Sequence, residues 1–311
     1  MPGREGPSIS FLVVNKGDRG IADTLETLDR VASEPSYVTE TIVVDASAGR
    51  LDDVRDRFPS VRWIPFEPTG RPTIAEQRNV GVVNSRGEVI VFIDASCVPD
   101  PGWLAALLGP IVEDGEAIVA GSHRSKGKPT LHDEDAHFVA GNRYLREAPT
   151  LNLAVTKAVF AGIGGFDESF GYGSDVDFTW RAVDAGYRIR YVPDAVVAHD
   201  WGSPRSEIRR SFLYGQARYR LYAKHSRRRR SAWRHDPEAL AYPVLLLLAP
   251  FALVSPRLGA LVAVPLVKNV RHRPVLTVTH HLVYGSGLLF AAAKALAVRG
   301  QAGRAIGQQR R

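Results

Sequence analysis

Three short runs of nearly continuous apolar residues constrain this chain most. They are Ser8 to Asn15 (Ile-Ser-Phe-Leu-Val-Val-Asn after the first serine), Thr41 to Val44, and Glu88 to Ile93. None alternates apolar with polar residues, so each reads as a strand covered on both faces. Such strands belong to parallel sheets with helices packed on either side. The residues between them fit that scheme. Ile21, Leu25 and Leu28 recur at helical spacing, and the stretches Leu51 to Phe58 and Thr73 to Asn84 read as further helices. Each run also ends on a polar residue: Asn15, Asp45 and Asp94. Ligands of open α/β sheets sit beyond the carboxyl ends of the strands, so these three residues are expected on one edge. The fold class is α/β.

The rest of the first two-thirds extends the pattern. Val61 to Ile64 reads as a third short strand, followed by a Gly/Pro-rich turn from Pro68 to Pro72. A helix from Leu104 to Val112 leads to a strand from Ala117 to Ala120, and the polar segment Ser122 to Glu147 reads as loop. A strand from Leu151 to Val155, a short helix from Lys157 to Ala161, a glycine-rich loop from Gly162 to Gly173 and a helix from Asp175 to Ala185 follow. Two short strands, Arg188 to Val192 and Ala195 to Ala198, come next, the second ending at His199. Of 311 residues 45% are hydrophobic and 23% charged, enough for a sizeable core. Cys97 is the one cysteine, which excludes an internal disulfide and fits a reducing compartment. It reads as a small buried residue. The short polar segment before the first strand reads as no secretory signal.

Several residues can carry chemistry, each beside a plainer role. Asp94 can hold a divalent cation that bridges a diphosphate, because Mg²⁺ and Mn²⁺ prefer oxygen ligands and share them with substrate phosphates. It can equally cap a turn. Asp45 can accept from a base N–H or cap the next helix. Arg78 can offset phosphate charge or form a salt bridge. Asp175 follows a glycine-rich loop at a helix start, a rigid mount for a general base, and also a place where the helix dipole favours an acid. Asp177 points elsewhere on that helix and reads as support. His199 can be a neutral imidazole ligand or an ordinary strand-end residue.

Taken together, the strand ISFLVVN, the strand TIVVDAS, the segment AEQRNVGVVNSRGEVIVFIDASCVPDPGWL and the stretch NLAVTKAVFAGIGGFDESFGYGSDVDFTWRAVDAGYRIRYVPDAVVAH resemble the inverting GT-A glycosyltransferases of family 2. The resemblance implies a Rossmann-like, mainly parallel mixed sheet over residues 1–203. It also implies a nucleotide-sugar donor, a divalent cation (Mn²⁺ or Mg²⁺), and single displacement onto a glycan or lipid-linked hydroxyl. On it, Asp45 matches the base-binding Asp, and Asp94 the first acid of an Asp-x-Asp motif. Asp175 matches the Asp that deprotonates the acceptor, and His199 the His that closes the domain. Asn15, Arg78 and Ala95 join Asp45 and Asp94 as donor-binding positions, and Asp94 with His199 as metal ligands. The chain departs from the family twice. Ser96 stands where a second acid is usual and Ser174 where Glu is usual, so metal binding is expected to be weak. A catalytically weak or inactive nucleotide-sugar binding protein of the same fold is the alternative.

The last third changes character. The net charge of +7 is concentrated between Arg205 and Arg234, including the run Arg227 to Arg230. Residues 204–236 read as a basic helical linker and residues 237–311 as a hydrophobic helical region. Its first apolar stretch, Ala239 to Val267, is interrupted by Pro243, Pro250, Pro256 and Pro265. The second, Val275 to Val298, contains His280, His281 and Lys294. A spanning helix needs about 20 apolar residues, so spans, interfacial helices and a packed helical subdomain all remain open. Basic residues beside apolar helices suit an anionic membrane surface at the cytoplasmic side. Nucleic acid is not expected, because the arginine run lacks interleaved recognition elements.

Overall fold

The computed structural model describes residues 6–32, 37–67, 73–127, 143–252, 255, 257, 260 and 274–309. The expected Pro68–Pro72 turn, most of the Ser122–Glu147 loop and most of the apolar stretch beyond residue 252 lie outside them. The chain divides into two compact units, Met1–Trp201 and Gly202–Arg311.

In the first unit the elements run β1 (Ile9–Asn15), α1 (Ile21–Ala32), β2 (Thr39–Asp45), α2 (Asp52–Arg55), β3 (Arg62–Pro65), α3 (Ile74–Asn84), β4 (Val89–Ile93) and β5 (Cys97–Pro99). Then come α4 (Trp103–Glu113), β6 (Ile118–Ser125), β7 (Tyr144–Leu145), β8 (Asn152–Thr156), α5 (Lys157–Ile163), α6 (Ser174–Asp184) and β9 (Ile189–His199). The strands form one sheet in the order β3-β2-β1-β4-β8-β6-β9-β5, with β7 paired to β9. The first four are parallel. β8 runs antiparallel between β4 and β6, and β9 runs parallel to β6.

The continuous apolar strands bury both faces, as their sequence requires. Phe11, Val13 and Val91 face one core with Ile21, Leu25 and Leu28 of α1 and Trp103, Leu104 and Leu107 of α4. Leu12, Ile90 and Phe92 face the other with Ala75 and Val82 of α3, Phe160 of α5 and Phe178 of α6. Thr73 caps α3, its hydroxyl accepting from the Glu76 N–H at 3.1 Å. Gly81 lets α3 lie close on the sheet, since a Cβ there would sit 2.2 Å from Leu12 Cδ1.

Two details differ from the expected strands. Arg188–Val192 and Ala195–Ala198 are one strand, β9, whose ladder with β6 shifts register between Gly121 and Ser122. Asn152 explains how one strand absorbs the offset. Its Nδ2 donates to the carbonyls of Ser122 and Ala195, both at 2.8 Å, and its Oδ1 accepts from Trp103 Nε1 at 2.9 Å. Accordingly β6 runs on to Ser125, into the segment read as loop. The second detail is β5, three residues too short to carry a periodicity. It pairs antiparallel with β9 and sets Cys97 opposite His199.

The second unit contains α7 (Pro204–Lys224), α8 (Ser226–Arg230), α9 (Ala232–His235), α10 (Glu238–Ala252) and α11 (Pro274–Gln309). Ser203 caps α7 ahead of Pro204, its hydroxyl accepting from the Ser206 N–H at 3.3 Å. The backbones of α7 and α11 approach through two glycines. A Cβ on Gly215 would lie 1.9 Å from the Tyr284 carbonyl oxygen, and one on Gly287 2.1 Å from that of Phe212. The histidines inside the apolar stretch serve this packing: His280 Nδ1 lies 2.7 Å from Ser211 Oγ, and His281 Nδ1 3.0 Å from Tyr242 Oη. α10 runs through Pro243 and Pro250, where breaks were expected, and Gly285 of α11 faces it closely: a Cβ there would lie 3.1 Å from Pro243 N and from Tyr242 Cβ. The stretch Val275–Val298, at mean hydropathy 1.4, is long and apolar enough to cross a membrane by length and composition.

Candidate active site

The site is the edge where β1, β2 and β4 end. Asn15 lies in register with Asp45. Its side chain is engaged by the turn that follows: Nδ2 donates to the Asp18 carbonyl at 2.8 Å, and Oδ1 accepts from the N–H groups of Gly17 at 2.8 Å and Asp18 at 2.7 Å. Gly17 supplies the positive φ, +104°, that this turn requires. Asp45 is fixed by one neighbour, Ser47, whose N–H donates to Oδ1 at 2.8 Å and whose hydroxyl donates to Oδ2 at 2.9 Å. Each carboxylate oxygen keeps a lone pair for a ligand donor.

Asp94 is the centre of the edge. Its Oδ1 is 3.6 Å from Arg78 Nη2 and its Oδ2 is 3.9 Å from His199 Nε2. The same imidazole nitrogen is 3.4 Å from Ser96 Oγ. The turn carrying Asp94 is tight: the Cys97 N–H donates to the Asp94 carbonyl at 3.1 Å, and Thr24 Oγ1 donates to the Ala95 carbonyl at 2.9 Å. Trp201 packs on His199, with ring centroids 4.2 Å apart. Burial pushes the Cys97 thiol well up, aided by the nearby Asp94 charge, so this sulfur is inert packing.

Asp175 is on the first turn of α6, after Gly173 at φ +78°. The Val176 N–H donates to its Oδ1 at 2.9 Å. Burial raises its proton affinity above that of an ordinary carboxyl and the Asp94 charge adds to this, while the Arg78 guanidinium and the Val176 N–H pull the other way. Arg78 is buried, with its guanidinium carbon 5.6 Å from the Phe166 ring centre. The guanidinium that pairs with Asp94 at 3.6 Å is thus also a charge felt by Asp175. Ser174 is buried at the first position of α6. Asp177, fully buried, pairs with Arg181 Nε at 2.8 Å. Arg181 in turn donates to the carbonyls of Ile163 at 2.7 Å and Gly165 at 2.6 Å. That is the supporting role read from its position.

Among the described residues no group of three or more His, Cys, Asp or Glu side chains surrounds one point. The His199 imidazole lies within 4 Å of both the Asp94 carboxylate and the Ser96 hydroxyl. That partial set fits a divalent cation whose remaining positions are filled by phosphate oxygens and water. Two residues without a sequence-derived role also shape the site. Asn152 steers β9 toward His199, and its signal was a polar side chain inside an apolar strand. Asn79, next to Arg78, binds the loop before α6, and no local pattern announced it.

A family model described as Glycosyl transferase family 2 matches residues 13–170. The pre-mycofactocin glycosyltransferase of Mycobacterium tuberculosis is 32% identical over 165 residues, covering 49% of this chain and 35% of that protein. The glycosyltransferase AglE of Haloferax volcanii is 26% identical over 152 residues, covering 47% and 50%. The matches thus span half or less of these relatives. Among solved structures, the mannosyltransferase PcManGT from Pyrobaculum calidifontis, in complex with GDP-Man and Mn²⁺, superposes with a TM-score of 0.68 at 18% identity. The alignment covers 94% of this chain and 90% of that one. The fold is therefore GT-A. The family match takes in the end of β1, all of β2, β3 and β4 and the whole Asp94 turn, and the chain belongs to glycosyltransferase family 2.

Proposed function

We propose that this chain is an inverting glycosyltransferase that moves a sugar from a nucleotide-diphosphate donor to an acceptor hydroxyl, with Asp175 as the base. The observation that supports the reading is the Phe166 ring, which packs on Phe92 of β4, on Phe178 of α6 and under Arg78, so that the mounts of the strand-end acid Asp94 and the helix-start acid Asp175 adjoin. In this reading Asp45 accepts from the nucleotide base. Arg78 faces the diphosphate, and Asn15 and Ala95 act through the turns they hold. Asp94 and His199, with Ser96, would hold a divalent cation, which when bound supplies charge stabilisation to the leaving nucleoside diphosphate. Asp175 takes the acceptor proton as its oxygen attacks the anomeric carbon from the face opposite the leaving group, and configuration inverts. Burial favours this role, because a carboxylate with raised proton affinity is a stronger base.

The acceptor in this reading is lipid-linked or a cell-envelope glycan, met at the cytoplasmic face of the membrane. The basic segment 204–236 and the apolar region 237–311 support it. The arginines of α8 have no buried member, and Trp233 stands 61% exposed with Arg234 over its ring at 4.5 Å. Tryptophan and arginine together suit a headgroup layer. Along α10, Leu240, Val244, Leu247 and Phe251 are exposed at helical spacing.

A thermal-shift screen of UDP-, GDP- and dTDP-sugars, with Mn²⁺ and with EDTA, tests donor and metal together, since a bound ligand raises apparent stability. Asp175→Asn is expected to keep nucleotide affinity and lose on the order of a hundredfold in turnover. Near-wild-type transfer by that variant removes Asp175 from the role. Full donor affinity with no transfer or hydrolysis by the wild type favours the binding-protein alternative.

A further inference from the structure

We infer that Asn79 is a positioning residue that fixes the distance between the donor side of the site and the acceptor base. The inference rests on the glycosyl-transfer reading above. Asn79 directly follows Arg78 on α3, and its side-chain amide clasps the backbone of the glycine-rich loop at one residue. Nδ2 donates to the Phe166 carbonyl at 2.9 Å, and Oδ1 accepts from the Phe166 N–H at 2.9 Å. Nδ2 also donates to Glu168 Oε1 at 2.8 Å. An amide is the one side-chain group that satisfies a backbone N–H and C=O together in this two-bond ring, because it carries a donor and an acceptor side by side.

What the clasp holds is the contact between two catalytic mounts. The Phe166 ring lies under the Arg78 guanidinium at 5.6 Å. The same ring packs on Phe178 of α6 at 4.8 Å, on Phe92 of β4 at 5.4 Å and on Phe160 of α5 at 5.6 Å. Phe178 is three residues beyond Asp175 on α6, and Phe92 is two residues before Asp94 at the end of β4. Phe166 is thus the packing element common to the strand that carries Asp94, the helix that carries Asp175 and the guanidinium that acts on both. Gly165 allows the fit: it takes φ +68°, and a Cβ there would stand 2.9 Å from Asn79 Oδ1. Without the amide, nothing in this hydrogen-bond set ties the loop to α3, so Phe166 and the α6 mount packed on it can shift against α3, while Arg78 keeps its place on the donor side through its 3.6 Å ion pair with Asp94. Donor binding to Asp45 and Asp94 does not pass through this loop. The consequence is specific: loss of the clasp lowers turnover and leaves nucleotide affinity unchanged.

The test uses the full chain. Asn79→Ala removes all three bonds. Asn79→Asp keeps the acceptor for the Phe166 N–H, but sets a carboxylate against the Phe166 carbonyl and Glu168. Hydrogen exchange of the Phe166 amide is expected to quicken at least tenfold in Asn79→Ala. In both variants kcat for the nucleotide sugar that the wild type turns over fastest, from the UDP-, GDP- and dTDP-sugar panel, is expected to fall at least tenfold. The Kd for UDP, GDP or dTDP, and the binding stoichiometry, are expected to stay within twofold of wild type. Adding Glu168→Gln to Asn79→Asp restores a donor facing the new carboxylate, and is expected to recover part of kcat. A merely structural role would lower stoichiometry and kcat together and would gain nothing from the second change. Phe166→Leu retains the backbone clasp and removes the ring beneath Arg78, so it serves if the Asn79 variants fail to fold; it too is expected to lower kcat with Kd unchanged. Unchanged kcat in the variants that fold, or unchanged exchange at Phe166 in Asn79→Ala, overturns the inference. If Asp175→Asn retains transfer while Phe166 exchange responds to Asn79→Ala, the assignment of Asp175 as the base fails and the clasp survives as architecture alone; if the wild type binds donor but neither transfers nor hydrolyses it, the glycosyl-transfer reading itself fails.

Discussion

Replacing Asn152 by leucine tests whether one buried amide sets the course of β9. Asn152 is 2% exposed, and all three of its polar contacts are to buried or partly buried groups. Leucine matches the branching of the side chain heavy atom for heavy atom but offers neither donor nor acceptor. Two hydrogen bonds to carbonyls vanish, and the indole N–H of Trp103, a residue 1% exposed, is left facing carbon. At about 0.5–1.5 kcal/mol net for each of the two lost bonds and about 1–3 kcal/mol for the orphaned buried donor, the loss is about 2–6 kcal/mol. That is a large share of the ~5–15 kcal/mol by which domains are stable. Urea unfolding of the full chain followed by tryptophan fluorescence reads the loss directly. A double-mutant cycle isolates the orphan term: in a Trp103→Phe background the same change should cost less by about 1–3 kcal/mol. His199 lies on the part of β9 beyond the register shift, so nucleotide affinity of the variant should also drop. A loss under about 1 kcal/mol, or strict additivity in the cycle, would refute the reasoning.

Two further outcomes follow from the geometry. Asp175 has a raised folded-state pKa, so the folded chain holds this proton more tightly than the unfolded chain. Its contribution to stability therefore falls as pH climbs from the ordinary carboxylate range, about pH 4, through the raised value. Asp175→Asn should consequently be the more thermostable protein at neutral pH, by a margin that closes toward pH 4 in a melting series; equal melting temperatures at neutral pH would contradict this. In the second unit, Gly215→Ala puts a methyl 1.9 Å from the Tyr284 carbonyl. It should separate α7 from α11 and raise protease susceptibility between them, despite alanine's better helix propensity.

The α/β class, the strand ends at Asn15, Asp45 and Asp94, and the helix under Asp175 were legible because they rest on local information: apolar runs, helical spacing and a glycine-rich loop. β5 was not, because three residues carry no period and its pairing partner, His199, is a hundred residues away. The register shift was hidden for the same reason, since it resides in the relation of Gly121, Asn152 and Ala195. Asn79 reads from the sequence only as the helix residue beside Arg78. Its meaning depends on Phe166, which no local pattern links to it. Pro243 and Pro250 misled in the opposite direction: proline disfavours helix interiors locally, yet both sit inside α10.

The two serines take on a different meaning once Arg78 is placed. In isolation, Ser96 and Ser174 look like losses, each a neutral residue where the resembling family carries an acid. In the folded site one guanidinium already acts on two carboxylates, and Asp94 and burial both push the Asp175 proton affinity up. An acid at position 96 would add a like charge beside Asp94, and one at position 174 would add it, buried, beside Asp175. Either would drive Asp175 toward its protonated form, which cannot act as a base, unless a cation offset the added charge. The neutral pair keeps the base ionisable with Arg78 alone. The expected signature is a turnover that chelation lowers without abolishing, while Arg78→Met moves the rising limb of the kcat–pH profile to higher pH. Complete loss of turnover in EDTA, with the Arg78→Met profile unmoved, would show that the cation rather than the guanidinium keeps Asp175 charged.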